Sequence, residues 1–138
     1  MKIHNTLFFG YLALTCALAL FACKDGSNSV QSLDDIVFPD KNISYYRQVQ
    51  PLFNIGCAIT DCHDAKTRAS NLDLSDYSGV RGRFYDVVIP KDTSLSRLIW
   101  SVEGRPGSVP MPPYRKLNQN QIRGLKQWIM EGATDTIK

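Results

Sequence analysis

The chain has 138 residues, with 16 Lys and Arg against 13 Asp and Glu, a formal net charge of +3. This length suits one domain plus a short extension, with a modest apolar core. So small an excess of positive charge, without a basic run or basic residues interleaved with aromatics, excludes nucleic acid as a partner.

The N-terminus begins with Lys2 and continues into an apolar run from Leu7 to Ala22, broken only by Gly10 and Thr15. A basic start, a short apolar stretch and a small residue before a cut are the pattern of a secretory signal, assigned to residues 1–22. A bilayer span needs about 20 apolar residues, so the run is short for a transmembrane helix. Leu20-Phe21-Ala22-Cys23 resembles the lipobox of bacterial lipoproteins. That resemblance implies cleavage before Cys23 and acylation of this residue, giving a stable membrane anchor. Residues 24–32 are polar and small, without periodicity, so residues 23–40 are expected to form a lipid-anchored flexible tether. The folded domain is expected over 41–138.

Apolar residues at 45, 49, 52 and 53 predict a helix, with Pro51 kinking it or starting a new turn. Next comes Cys57-Ala-Ile-Thr-Asp-Cys62-His63. Two thiols followed directly by a histidine are the arrangement that attaches a c-type haem. The thiols form thioethers with the porphyrin, and the imidazole becomes the proximal iron ligand. Four residues separate these cysteines, where the usual motif has two.

The segment 66–82 is expected to be a loop with at most one helical turn. Val87-Val88-Ile89-Pro90 is an extended piece ended by proline. Asp92, Thr93 and Ser94 offer caps for a helix carrying Leu95, Leu98, Ile99 and Val102, which Gly104 ends. Residues 105–113, rich in glycine and proline, are irregular. The last helix is the clearest. Asn118 and Gln121 form a capping box, Ile122, Leu125, Trp128 and Ile129 form one apolar stripe, and Gly132 is a natural terminator. Gly124 within it weakens the helix and marks the close approach of another backbone.

Cys16 and His4 leave with the signal and Cys23 takes lipid, so Cys57, Cys62 and His63 remain as one set of haem-attachment groups. With no second histidine, methionine is the candidate sixth ligand. Met130 reads as a core or half-exposed side chain. Met111 lies in Val109-Pro110-Met111-Pro112-Pro113, where prolines stiffen the loop that presents its sulfur.

Leu52-Phe53, Cys57…Cys62-His63, Leu72-Asp73-Leu74, Tyr77, Val88-Ile89-Pro90, Ser96, Leu98, Met111-Pro112-Pro113, Gln121-Ile122, Trp128-Ile129 and Gly132-Ala133 together resemble the planctomycete-type cytochrome c domain, a small class I-like c-type cytochrome. The resemblance implies an all-α fold whose first and last helices cross around one covalent haem c. It implies thioethers at Cys57 and Cys62, His63 as proximal ligand and Met111 as distal ligand. The chain departs from the family in the four-residue spacer and in Asp64, where a glycine usually follows the histidine. Asp64 is expected to alter the hydrogen bonding or charge near the proximal side.

The expected activity is that of a membrane-anchored, monohaem electron carrier in the cell envelope, facing the periplasm or the cell surface. It is not an enzyme, and its partners are redox proteins or a respiratory complex. Two other readings stand beside it. One is a structural lipoprotein with a Cys57–Cys62 disulfide and no haem. The other is a sensor or enzyme whose open iron binds a small ligand. A zinc site, which takes about four ligands, is poorly served by two thiols and one imidazole.

Overall fold

The computed structural model describes residues 32–136. The signal peptide, Cys23 and residues 24–31 of the tether lie outside the described residues. Among the described residues all regular structure is helical, with two isolated bridges, Phe84–Val88 and Ile89–Asp92. The all-α expectation therefore holds.

After a short 3-10 turn, Leu33–Asp35, the first longer helical segment is built around Pro51. Tyr45–Val49 forms a π turn, with the Ser44 hydroxyl accepting the Arg47 N–H, and α1 follows over Gln50–Gly56. In a continuous α-helix the proline ring would press on the carbonyl four residues back and leave it unpaired. Widening the preceding turn to a π register removes that conflict. The expected kink is thus a change of helical register.

Asp76 caps α2, Tyr77–Arg81, by accepting the Gly79 N–H at 2.8 Å. A short 3-10 turn, Ala69–Asn71, precedes it. α3 spans Arg97–Glu103 and starts later than expected. Asp92 does not cap it. Its Oδ1 closes a turn on the Ser94 and Leu95 amides, and Leu95 is exposed. The N-cap residue is Ser96, whose fully buried hydroxyl accepts the Ile89 N–H and donates to the Asp92 carbonyl. α4, Gln119–Met130, carries the expected capping box, with Asn118 and Gln121 exchanging bonds of 3.0 Å. Gly104 and Gly132 end α3 and α4 at φ 64° and 106°, which only glycine adopts without strain.

One correction concerns the tether. Leu33, Ile36 and Phe38, inside the segment expected to be flexible, are buried in the core. The segment is a strap along α4. The Phe38 N–H donates to Asn120 Oδ1 at 2.7 Å, Asn120 Nδ2 donates to the Phe38 carbonyl at 2.9 Å, and Gln121 Nε2 donates to the Leu33 carbonyl at 2.6 Å. The domain therefore begins by Leu33 rather than at 41. The close approach expected at Gly124 is also of another kind, because the Phe38 ring fills the space a Cβ would need.

α4 packs along α3, and Glu103 joins them by pairing with Lys126, while Arg105 just beyond α3 pairs with the same carboxylate. Tyr45 gathers the aromatic core, with ring centroids 4.9 Å from Tyr77, 5.6 Å from Trp128 and 6.5 Å from Phe53. Burial at this junction joins the first helical segment to α2 and α4.

Candidate functional site: the cysteine–histidine loop

The loop leaves the end of α1, where the Cys57 and Ala58 amides both donate to the Phe53 carbonyl, at 2.8 and 2.7 Å. The four-residue spacer folds back on itself. Asp61 is left-handed (φ 67°), and the Cys62 N–H reaches the Ile59 carbonyl at 3.0 Å. The His63 N–H then donates to the Cys57 carbonyl at 3.1 Å. This bond brings the ends of the motif together in spite of the wide spacing. Cys57 is buried, Cys62 and His63 are half-buried, and both cysteines are free thiols. Burial, reinforced by the neighbouring Cys62, pushes the Cys57 thiol up to about 12.

The imidazole is oriented from behind. His63 Nδ1 lies 3.1 Å from the Ala69 carbonyl. A carbonyl has no proton to give, so Nδ1 carries the hydrogen and, in the neutral ring, Nε2 keeps a free lone pair. The Ala69 amide donates to the Cys62 carbonyl at 2.9 Å, and the Leu74 amide donates to the His63 carbonyl at 2.8 Å. The carboxyl of Asp64 is held below its ordinary range by hydrogen bonds from Thr67. Sequence reasoning missed the Ala69 carbonyl, which has no side-chain signature, and saw Asp64 without its partner.

Met111 stands on another leg. It is half-buried, its N–H donates to the Ser101 carbonyl at 3.0 Å, and the Met111–Pro112 peptide is cis. The Ser108 hydroxyl ties the loop to the carbonyls of Trp100 and Arg105. The methionine loop thus hangs from the end of α3, and the histidine loop from the end of α1. Met130, in contrast, is exposed on α4.

Among the described residues no group of three or more His, Cys, Asp and Glu side chains is arranged to hold a metal ion, and no helix is long and apolar enough to cross a membrane. No curated protein and no solved structure matches the chain. Residues 60–114 match the family model described as Planctomycete cytochrome C, a stretch that begins after Cys57 and includes Cys62, His63 and Met111. Over this stretch the chain is similar to a planctomycete-type cytochrome domain.

Proposed function

We propose that this chain is a membrane-anchored monohaem c-type cytochrome that carries single electrons between redox partners in the cell envelope. The observation that carries the proposal is the donor set of the cysteine–histidine loop. Two free thiols and one imidazole share a loop closed by the bond from the His63 N–H to the Cys57 carbonyl, and the imidazole's Nδ1–H is engaged by the Ala69 carbonyl. That set fits haem c, since the thiols suit thioethers and the free Nε2 suits iron.

In this reading Cys57 and Cys62 hold the haem covalently between the first and last helices, His63 is the proximal ligand and Met111 supplies the distal sulfur. Cys23 anchors the chain by its lipid. The haem supplies a one-electron iron couple when bound, with a potential raised by methionine ligation relative to two histidines. The Ala69 carbonyl keeps the proton at Nδ1 and the ring in one orientation. The Ser101 carbonyl fixes the backbone of Met111. Burial at Cys57 keeps water from one attachment point. The partners are redox proteins, either free or within a respiratory complex.

The test is a haem stain after denaturing electrophoresis, then visible spectra, on the full chain co-expressed with haem-attachment machinery. Haem should survive denaturation and disappear in the Cys57→Ala/Cys62→Ala chain. The native ferric protein should show the weak band at the red end of the visible spectrum that marks methionine ligation. Met111→Ala should keep the haem and lose that band. A chain without covalent haem, with Cys57 and Cys62 joined as a disulfide, would overturn the proposal.

A further inference from the structure

The carbonyl that orients His63 sits six residues beyond it, on a segment with unusual backbone. Arg68, Ser70 and Asn71 have φ of 46°, 55° and 58°, left-handed values that residues with side chains adopt at a cost. Other contacts must hold the chain there. Thr67 donates its N–H to Asp64 Oδ1 at 2.8 Å, and its hydroxyl oxygen accepts the Asp61 N–H at 3.2 Å. The Arg68 N–H donates to the Asp64 carbonyl at 3.0 Å. One chain of bonds therefore runs from Asp61 at the end of the spacer, through Thr67 and Asp64, to the residues that carry the Ala69 carbonyl.

We propose that Asp64 and Thr67 are positioning residues for His63: they clamp the 64–69 turn so that the Ala69 carbonyl meets Nδ1, which fixes the nitrogen left free for a metal. Neither residue touches the imidazole in this arrangement. They act through the backbone of Ala69. The two departures of this motif from the ordinary one, a longer spacer and a carboxylate after the histidine, become parts of one device. Asp61, within the lengthened spacer, is where the clamp grips. The use of the clamp rests on the proposed ligand role of His63, but its geometry does not.

The test is the imidazole nitrogen spectrum of His63 in the haem-free, 15N-labelled full chain, recorded at about pH 8, where a free histidine is neutral. Asp64→Ala and Thr67→Val are compared with Asp64→Asn and Thr67→Ser, which keep the oxygen the turn needs. Far-UV circular dichroism reports retention of the fold. The native chain should show a proton fixed on Nδ1. The first two variants should give a mixture with the Nε2–H form, and the conservative pair should restore the native pattern. In haem-loaded chains, losing the Nδ1–H bond weakens the imidazole as a donor and favours ferrous iron. The expected displacement against a redox mediator is about tenfold, or about 59 mV for one electron. A native tautomer retained in both Asp64→Ala and Thr67→Val would overturn the clamp, as would conservative variants that behave like the disruptive ones. A chain that takes up no haem fails the cytochrome proposal alone, because the ring spectrum still decides the clamp.

Discussion

Replacing Gly124 by alanine sets helix propensity directly against packing. In the interior of α4 the change gains about 1 kcal/mol of propensity. The new methyl, however, would lie 2.1, 2.2 and 2.4 Å from Cγ, Cδ1 and Cβ of Phe38. Rotating the ring about its own axis leaves Cβ and Cγ in place, so the strap itself must move. The strap is pinned by the paired Phe38–Asn120 bonds of 2.7 and 2.9 Å, each worth about 1 kcal/mol. Overpacking a core site costs about 1–3 kcal/mol, and forcing the ring out approaches the cost of Phe→Ala, about 3–5 kcal/mol. After the propensity gain, the expected net loss is about 1 kcal/mol, rising to about 3 kcal/mol if the ring leaves. Urea unfolding followed by far-UV circular dichroism, on the native chain, Gly124→Ala, Phe38→Ala and the double variant, measures it. With Phe38 truncated, Gly124→Ala should become neutral or stabilising by up to about 1 kcal/mol. A Gly124→Ala chain as stable as the native one, or an equal loss in both backgrounds, would refute the reasoning.

Tyr45→Phe removes the hydroxyl that donates to Gln50 Oε1 at 2.7 Å in a buried site. The stranded acceptor should cost about 1–3 kcal/mol in the same unfolding assay. Glu131 accepts the amides of Asn42 and Ile43 and the Gln127 side chain. Partial burial works to raise its pKa, yet these bonds outweigh it and hold the carboxyl below its usual value. A depressed folded pKa means its stabilisation is complete above the ordinary Glu value of about 4.3 and is lost as pH falls through the folded value. Glu131→Gln should therefore flatten the acid limb of a urea-midpoint against pH curve, and an unchanged limb would count against the assignment. In the haem-free chain, Cys62 should react with iodoacetamide before Cys57, as read by mass spectrometry, because burial raises the Cys57 thiol to about 12.

What the sequence made legible is local. The Asn118–Gln121 box and the glycine ends of α3 and α4 announce themselves because each signal and its partner lie within one helical turn. The cysteine–histidine motif is legible because its chemistry is contiguous. The strap was not, since Leu33, Ile36 and Phe38 follow neither helical nor strand period and are buried by contacts 82 and 88 residues away in sequence. α2 fits the single helical turn expected within 66–82, but its position was blurred by its brevity and by glycine. Asp92 looked like a helix cap and proved to close a turn, a role the same side chain serves equally well. The clamp behind His63 left only Asp64 and Thr67 as traces, because its working atom is a backbone oxygen.

The distribution of burial bears on how the site opens. No residue from Ala58 to Asp73 is buried, whereas Cys57 and Leu74, at the two ends of this stretch, are. Leu74 is fastened on both sides, to the His63 carbonyl and, through its own carbonyl, to Gln50 Nε2 at 3.0 Å. Apart from Ala58 and Leu72, which pack on the core at its two ends, the loop is held mainly by hydrogen bonds, the mark of a segment that opens below the global unfolding energy. Access to the Cys57 thiol should follow this local opening and not the stability of the core. Gly124→Ala, which acts on the strap and α4, should lower the urea midpoint while leaving the rate of Cys57 alkylation in water nearly unchanged. Asp64→Ala, which loosens the loop, should do the reverse. If alkylation instead accelerates in step with the loss of global stability, by about tenfold for each 1.4 kcal/mol, the thiol is exposed only by unfolding and the loop is part of the core's cooperative unit.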